Sequence, residues 1–300
     1  MNISIKRVQH DACIGAAERE KFGTQFKKYI FMAVAGMLAL SSCSNDDNDI
    51  QDVQNAPRPM TFTAGYSDGA TTRATLSGKS VSFDGGDKIS ILSAKNTNTA
   101  FTTSAGGASA TFSGTATDDS KFYAVYPYTA GLTLSGDVIT GIEIPTSQWN
   151  SWWNGVSDFS GWDPKAPIAY ATTTGSSLTF HNACAILKVT FPHAMTYGRF
   201  TISANEPLAG TFSLDTSTCT LTPTSGSTTV TVGNPSDIFS GICTDEGSKT
   251  VYVAIAPGTY TGFNLHIYNE DDDEKSITKS SVTFEAGKIY DLGSYNLGSL

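Results

Sequence analysis

Three histidines lie in the body of the chain, His181, His193 and His266, and each sits in or beside a run that alternates like a strand. Catalysis needs a nucleophile set against a base, paired carboxylates in a cleft, or a set of metal ligands. No Gly-x-Ser-x-Gly and no His-Glu-x-x-His accompanies these histidines. His181 is followed closely by Cys184, but thiol–imidazole pairs are made by the fold and not by nearness along the chain. The acidic run Glu270–Glu274 offers oxygen ligands for Ca²⁺, yet it lacks the Asp-x-Asp-x-Asp-Gly loop and reads as a solvated hairpin tip. With no Gly-rich phosphate loop either, the residues predict no enzyme, no catalytic residue, no metal and no cofactor.

Aromatic chemistry is more concentrated. All four tryptophans, Trp149, Trp152, Trp153 and Trp162, fall between Gln148 and Pro164, with Phe159 among them. Such rings stack on sugars and anchor interfaces, so they form a candidate ligand platform. They equally suit plugging a core or covering a sheet edge, and the cost of an exposed tryptophan cluster favours that use. Beyond Cys13 and Cys43 the cysteines are Cys184, Cys219 and Cys243, which allow one disulfide and leave a thiol over. They read as small buried hydrophobes, with a Cys219–Cys243 bridge as the alternative.

Residues 27–49 set what is exported. Lys27-Lys28-Tyr29 precedes an apolar run from Ile30 to Leu40, too short for an ordinary membrane span, and then comes Leu40-Ser41-Ser42-Cys43. This is a secretory signal, and Leu-Ser-Ser-Cys resembles the lipobox of bacterial lipoproteins. That resemblance implies that Cys43 is acylated and becomes the N-terminus, anchoring the chain to the outer membrane. Asp46, Asp47 and Asp49 are similar to signals that send lipoproteins to the outer face of that membrane, and a plain solvated tether would read the same way.

The chain has 300 residues, 39% of them hydrophobic and 16% charged, a globular composition with room for one large or two ordinary domains. Thr, Ser, Gly and aromatics are plentiful while helix-favouring runs are missing, which predicts a β protein. A net charge of −9 argues against nucleic acid as a partner.

The strand pattern begins at Met60–Tyr66, with Phe62, Ala64 and Tyr66 on one face. Val81–Phe83 and Lys88–Leu92 flank Asp84-Gly-Gly-Asp87 and predict a hairpin. Phe122–Tyr128 is a strong strand stopped at Pro127, and further short strands follow at regular spacing to the end of the chain. The pattern predicts an all-β fold of two tandem β-sandwich domains. Its segments are a leader and signal peptide over 1–42, a tether over 43–59, an N-terminal sandwich over 60–175 and a C-terminal one over 176–300.

The order of local motifs resembles the fimbrillin family, subunits of type V pili. It rests on Thr61-Phe-Thr-Ala64, Thr72-Arg-Ala74, Gly86-Asp-Lys-Ile89, Phe122–Tyr128, Ile144-Pro-Thr-Ser-Gln148, Leu178-Thr-Phe-His181, Pro207-Leu-Ala-Gly210 and Ala286-Gly-Lys-Ile-Tyr290. Phe83 departs from it, standing where a Trp is expected. The resemblance implies transthyretin-like sandwiches, export as a lipoprotein, and cleavage by an arginine-specific protease, here between Arg73 and Ala74. Losing the first strand would open a groove for another subunit's strand, so the implied partners are other pilus subunits. Only Asp291–Leu300 follow the Lys288-Ile-Tyr290 motif, short of the extra strand that shaft subunits carry, which implies a tip or accessory adhesin. The alternative function is an outer-membrane surface lipoprotein that binds glycans through the Trp149–Trp162 loop; a host protein or glycan is a further expected partner.

Overall fold

The computed structural model describes residues 56–67, 83–148, 161–162, 166–192, 197–232, 242–243, 248–269, 271 and 273–299. Its strands run as β1 (Arg58–Tyr66), β2 (Lys88–Leu92), β3 (Thr99–Thr103), β4 (Ser109–Ala116), β5 (Phe122–Tyr126), β6 (Thr133–Ser135) and β7 (Val138–Ile144). They continue as β8 (Ser147–Gln148), β9 (Gly161–Trp162), β10 (Ala169–Thr173), β11 (Ser177–Asn182), β12 (Ala185–Phe191), β13 (Tyr197–Ser203) and β14 (Ala209–Asp215). The last are β15 (Thr220–Ser227), β16 (Thr229–Val232), β17 (Ile242–Cys243), β18 (Lys249–Ile255), β19 (Gly258–Asn269), β20 (Glu274–Phe284) and β21 (Ile289–Ser294), before a 3-10 turn at Leu297–Ser299. The fold is all-β, with no α-helix among the described residues.

Seven strands close a barrel in the order β1-β11-β10-β5-β2-β3-β4. The other strands form three open sheets, β21-β12-β18-β9, β20-β19-β13-β16-β8 and β15-β14-β7-β6. Local pattern explains which strands lie deepest. In β5, Phe122 and Ala124 face the barrel interior, while Tyr123 and Val125 join the larger core outside it. A strand buried on both faces must read as a continuous apolar run, and Phe-Tyr-Ala-Val does. β1 alternates instead: Phe62, Ala64 and Tyr66 are buried and Thr61 and Thr63 are exposed.

Pairing joins segments distant in the chain. The position 175/176 falls between β10 and β11, which pair with each other inside the barrel; β7, before it, pairs with β14, beyond it. The expected hairpin around Asp84–Asp87 does not form. Phe83 bridges to Gly107, and β2 pairs with β3 and β5. Asp87 explains the bend: its carboxylate accepts from the backbone N–H of Asp84 at 2.9 Å and from the Tyr126 hydroxyl at 2.9 Å, tying the turn down onto β5.

Candidate functional site

The site is the first strand and the slot it fills. β1 pairs antiparallel with β4 from Arg58↔Ala116 to Gly65↔Ser109, and parallel with β11 from Thr63↔Ser177 to Tyr66↔Phe180. It is therefore the strand that closes the ring. Phe62 meets Phe101 and Phe122 edge-on, with ring centroids at 5.4 and 5.2 Å. Tyr66 stacks on Phe83 at 5.4 Å and lies against Phe180 at 5.9 Å. Burying such a ring contributes about 1.5–3 kcal/mol, with about 0.5–1.5 more from a well-set aromatic pair. Room for the Phe101 ring, which Phe62 meets, depends on a glycine: a Cβ at Gly114 would stand 2.7 Å from it. The outward end of β1 adds only the exposed pair Arg58–Asp118 at 2.6 Å.

The ring order decides what β1 is free to do. β5 stands across the barrel from β1, reached through β11 and β10 on one side and through β4, β3 and β2 on the other. The outward side chains of β2, β5 and β10 (Leu92, Tyr123, Val125 and Tyr170) pack into the larger core beside Ile139, Ile142 and Leu214. The barrel is thus welded to the rest of the protein on the side opposite β1. Two polar ties reinforce that side. Asp137 accepts from Lys121 at 2.6 Å and from the Tyr123 hydroxyl at 2.5 Å, and the Tyr170 hydroxyl donates to Cys219 Sγ.

Several sequence-predicted site residues, Cys43, Arg73, Ala74, Trp149, Trp152 and Trp153, lie outside the described residues. Trp162 is placed by its backbone: Gly161–Trp162 pairs parallel with Val251–Tyr252 at the edge of β18. At the other end of that aromatic segment Gln148, fully buried, grips the same strand. Its amide donates to the Ala254 carbonyl at 2.7 Å and accepts from the Ala254 N–H at 2.9 Å. Gln148 was legible only as part of a motif; its role as a substitute ladder partner needed the fold.

Cys184 is buried, and burial pushes its thiol up to about 12, which keeps it unreactive. Cys219 is exposed and free, so the Cys219–Cys243 bridge is not formed, and the reading of Cys219 as a buried hydrophobe is corrected. It occupies the tip of the β14–β15 hairpin with φ of 59°, exposed there and met by the Tyr170 hydroxyl. His266 does gather a serine and a carboxylate. Both Ser276 Oγ (2.9 Å) and Glu274 (2.6 Å) reach the same ring nitrogen, Nδ1, while Asn264 occupies Nε2 at 2.7 Å. Catalysis of the serine–histidine–acid kind needs the acid and the hydroxyl on opposite nitrogens, so this cluster does not have that geometry. Among the described residues no group of three or more His, Cys, Asp or Glu side chains is placed to hold a metal ion.

This is an all-β protein in which β1, paired on both flanks, completes a closed barrel. The chain belongs to the fimbrillin-like family, whose sequence profile matches residues 72–294. No curated protein matches it. Among solved structures it is similar to a candidate cell adhesion protein from Bacteroides ovatus, at 12% identity and TM-score 0.49, over 80% of this chain and 93% of that one. It is also similar to a fimbrial protein from Bacteroides vulgatus, at 16% identity and TM-score 0.31, over 78% and 94%. A third is the fimbrial anchor protein Mfa2 from Porphyromonas gingivalis, at 7% identity and TM-score 0.34, over 74% and 82%. Family membership makes this chain a pilus-related subunit, with other pilus subunits as its partners and the pilus or cell surface as its place.

Proposed function

We propose that the chain is a tip or accessory pilus subunit with no catalytic role, exported as a lipoprotein through Cys43 to the outer membrane and activated there by cleavage between Arg73 and Ala74. The observation that carries this reading is the place of β1, which closes the barrel opposite its welded wall and ends at Tyr66, seven residues before Arg73. Removing it bares the backbone edges of β4 and β11 beside a groove lined by Phe101, Phe122 and Phe83. A strand from another subunit restores both ladders and drops alternate side chains into the vacated places. Before cleavage the chain fills its own groove and does not polymerise.

The last described strand is used inside its own sheet. β21 lies parallel along β12, Tyr295 N–H donates to the Thr190 carbonyl at 2.9 Å, and Leu297 is fully buried. That strand is used within its own sheet and is not free to serve a neighbour. Arg73→Ala in cells tests the activation step. The expected product is a folded, lipid-labelled surface monomer that does not enter fibres; a variant that assembles like the parent overturns it. Fatty-acid labelling that persists in Cys43→Ser removes the lipoprotein part.

A further inference from the structure

β6 is the terminal strand of its sheet and pairs only with β7 among the described residues. The two are joined by a two-residue turn, Gly136-Asp137, with Gly136 at φ of 59° as the first central residue, where a Gly-x turn requires positive φ. In such a hairpin the closing pair, Ser135 and Val138, exchange both hydrogen bonds, and the pattern alternates along the strand. The N–H and C=O of Leu134 therefore point away from β7. On that side lie two cavities of about 400 and 260 Å³ that meet at Ala94 and Leu134, with no residue of β7 in either lining. A small-molecule or peptide site typically begins at roughly 300 Å³.

The far bank is held in place before anything binds. Asn96 donates to the Thr117 carbonyl at 2.7 Å and accepts from the Thr117 N–H at 2.7 Å, and Asp119 accepts from the Lys95 N–H at 2.9 Å. The floor is apolar, made by Leu92, Ala94 and Leu134. One end is acidic. Asp137 uses Oδ1 for Lys121 and Tyr123, and each oxygen of Asp119 holds a backbone N–H, so both carboxylates keep acceptor sites open. Burial pushes Asp119 upward, but the N–H groups of Ser120 and Lys95 outweigh it and hold the carboxyl below its ordinary value, so the charge persists. Two lysines border this end: Lys121, already engaged with Asp137, and Lys95, whose charge reaches Asp119 from the adjoining cavity.

We propose that this groove binds an extended peptide segment of a partner protein as an added strand beside β6, with an apolar side chain on Leu134 and a lysine or arginine two residues away against Asp119 and Asp137. An unpaired backbone edge is complementary to another backbone, and the acidic end supplies the charge preference. A sugar fits less well: the one aromatic ring in the lining, Tyr123, is covered by the Lys121 ammonium at 4.7 Å from its centroid. The groove is separate from the slot of β1, so the proposal stands apart from strand exchange.

The probe is acetyl-Thr-Val-Thr-Lys-Thr-amide added to the full chain, with hydrogen exchange read at the Leu134 amide. Saturable protection of Leu134 in the millimolar range is expected. A peptide N-methylated at Val, which cannot donate to Leu134, binds about tenfold more weakly. Replacing the peptide's lysine with glutamate weakens it by about tenfold or more. Ala94→Trp, which fills the groove from an exposed position, abolishes protection without lowering Tm. No protection at 10 mM peptide overturns the proposal, as does equal binding of the N-methylated form or of the parent peptide to Ala94→Trp. Binding of maltose or lactose at this groove in place of the peptide also overturns it and makes the groove a glycan site.

Discussion

Inside the barrel the space is filled by rings, Phe62, Phe83, Phe101, Phe112, Phe122 and Phe180, set among alanines such as Ala64, Ala110, Ala124 and Ala171. Across β5 the larger core is mostly aliphatic, with Ile186, Leu187, Val189, Ile202, Val230, Val251, Val253 and Ile267 spread over several sheets. A core of a few large rings is divisible: each strand brings one or two plugs, and β1 brings Phe62 and Tyr66. A core of many branched side chains is shared among strands, and none of them can leave alone. The first suits a strand that is exchanged and the second suits a permanent frame.

That contrast can be broken most sharply at Phe62. Phe62→Ala is expected to lower unfolding free energy by about 3–5 kcal/mol, whereas Ile202→Val in the aliphatic core costs about 0.5–1.5. Denaturant titration of both variants decides it, and equal losses remove the distinction. Next in size is Gln148→Leu, which leaves the Ala254 N–H and C=O without their partner in the aliphatic half. The expected loss is about 1–3 kcal/mol, with exchange of the Ala254 amide speeding up before that of any barrel amide; unchanged exchange there refutes the role assigned to Gln148. The smallest effect belongs to Asp137 on the welded wall. Hydrogen bonds from Lys121 and then Tyr123 hold its carboxyl below the ordinary value. Its stabilisation is present above the unfolded pKa, about 3.9, and is lost as pH falls through the lower folded value. Asp137→Asn should therefore lower Tm slightly at pH 7, and the gap should shrink as pH falls below the unfolded pKa and through the lower folded one. A gap that stays constant with pH assigns the effect to packing.

Much of this was legible locally. Alternation placed Phe62, Ala64 and Tyr66 on one face, and all three are buried in the barrel. The polar run after Tyr268 does form a hairpin tip, with Asn269 Oδ1 accepting from the N–H groups of Asp271 and Asp273 at 3.0 and 2.9 Å. The parallel seam between β1 and β11 was not legible. Period-two patterning tells which face of a strand is buried and is silent on which distant strand lies beside it. The same limit hid the β7–β14 pairing that crosses the compositional break. It also hid the welded wall, because Tyr123 and Val125 read as apolar residues whichever core they enter. The groove beside β6 has no sequence signal at all, since it is made by the β2–β3 and β4–β5 loops meeting one short strand and its turn.

One consequence of the double pairing of β1 is mechanical. The strand lies lengthwise between β4 and β11, held by ladders along both flanks. A tug along its axis loads those rungs together, while detachment from one end breaks them in turn. Rupture by force is governed by the barrier to that concerted step, and slow replacement is governed by the sequential one. A strand in this slot can resist a pull and still be exchanged, one rung at a time, when no load is applied.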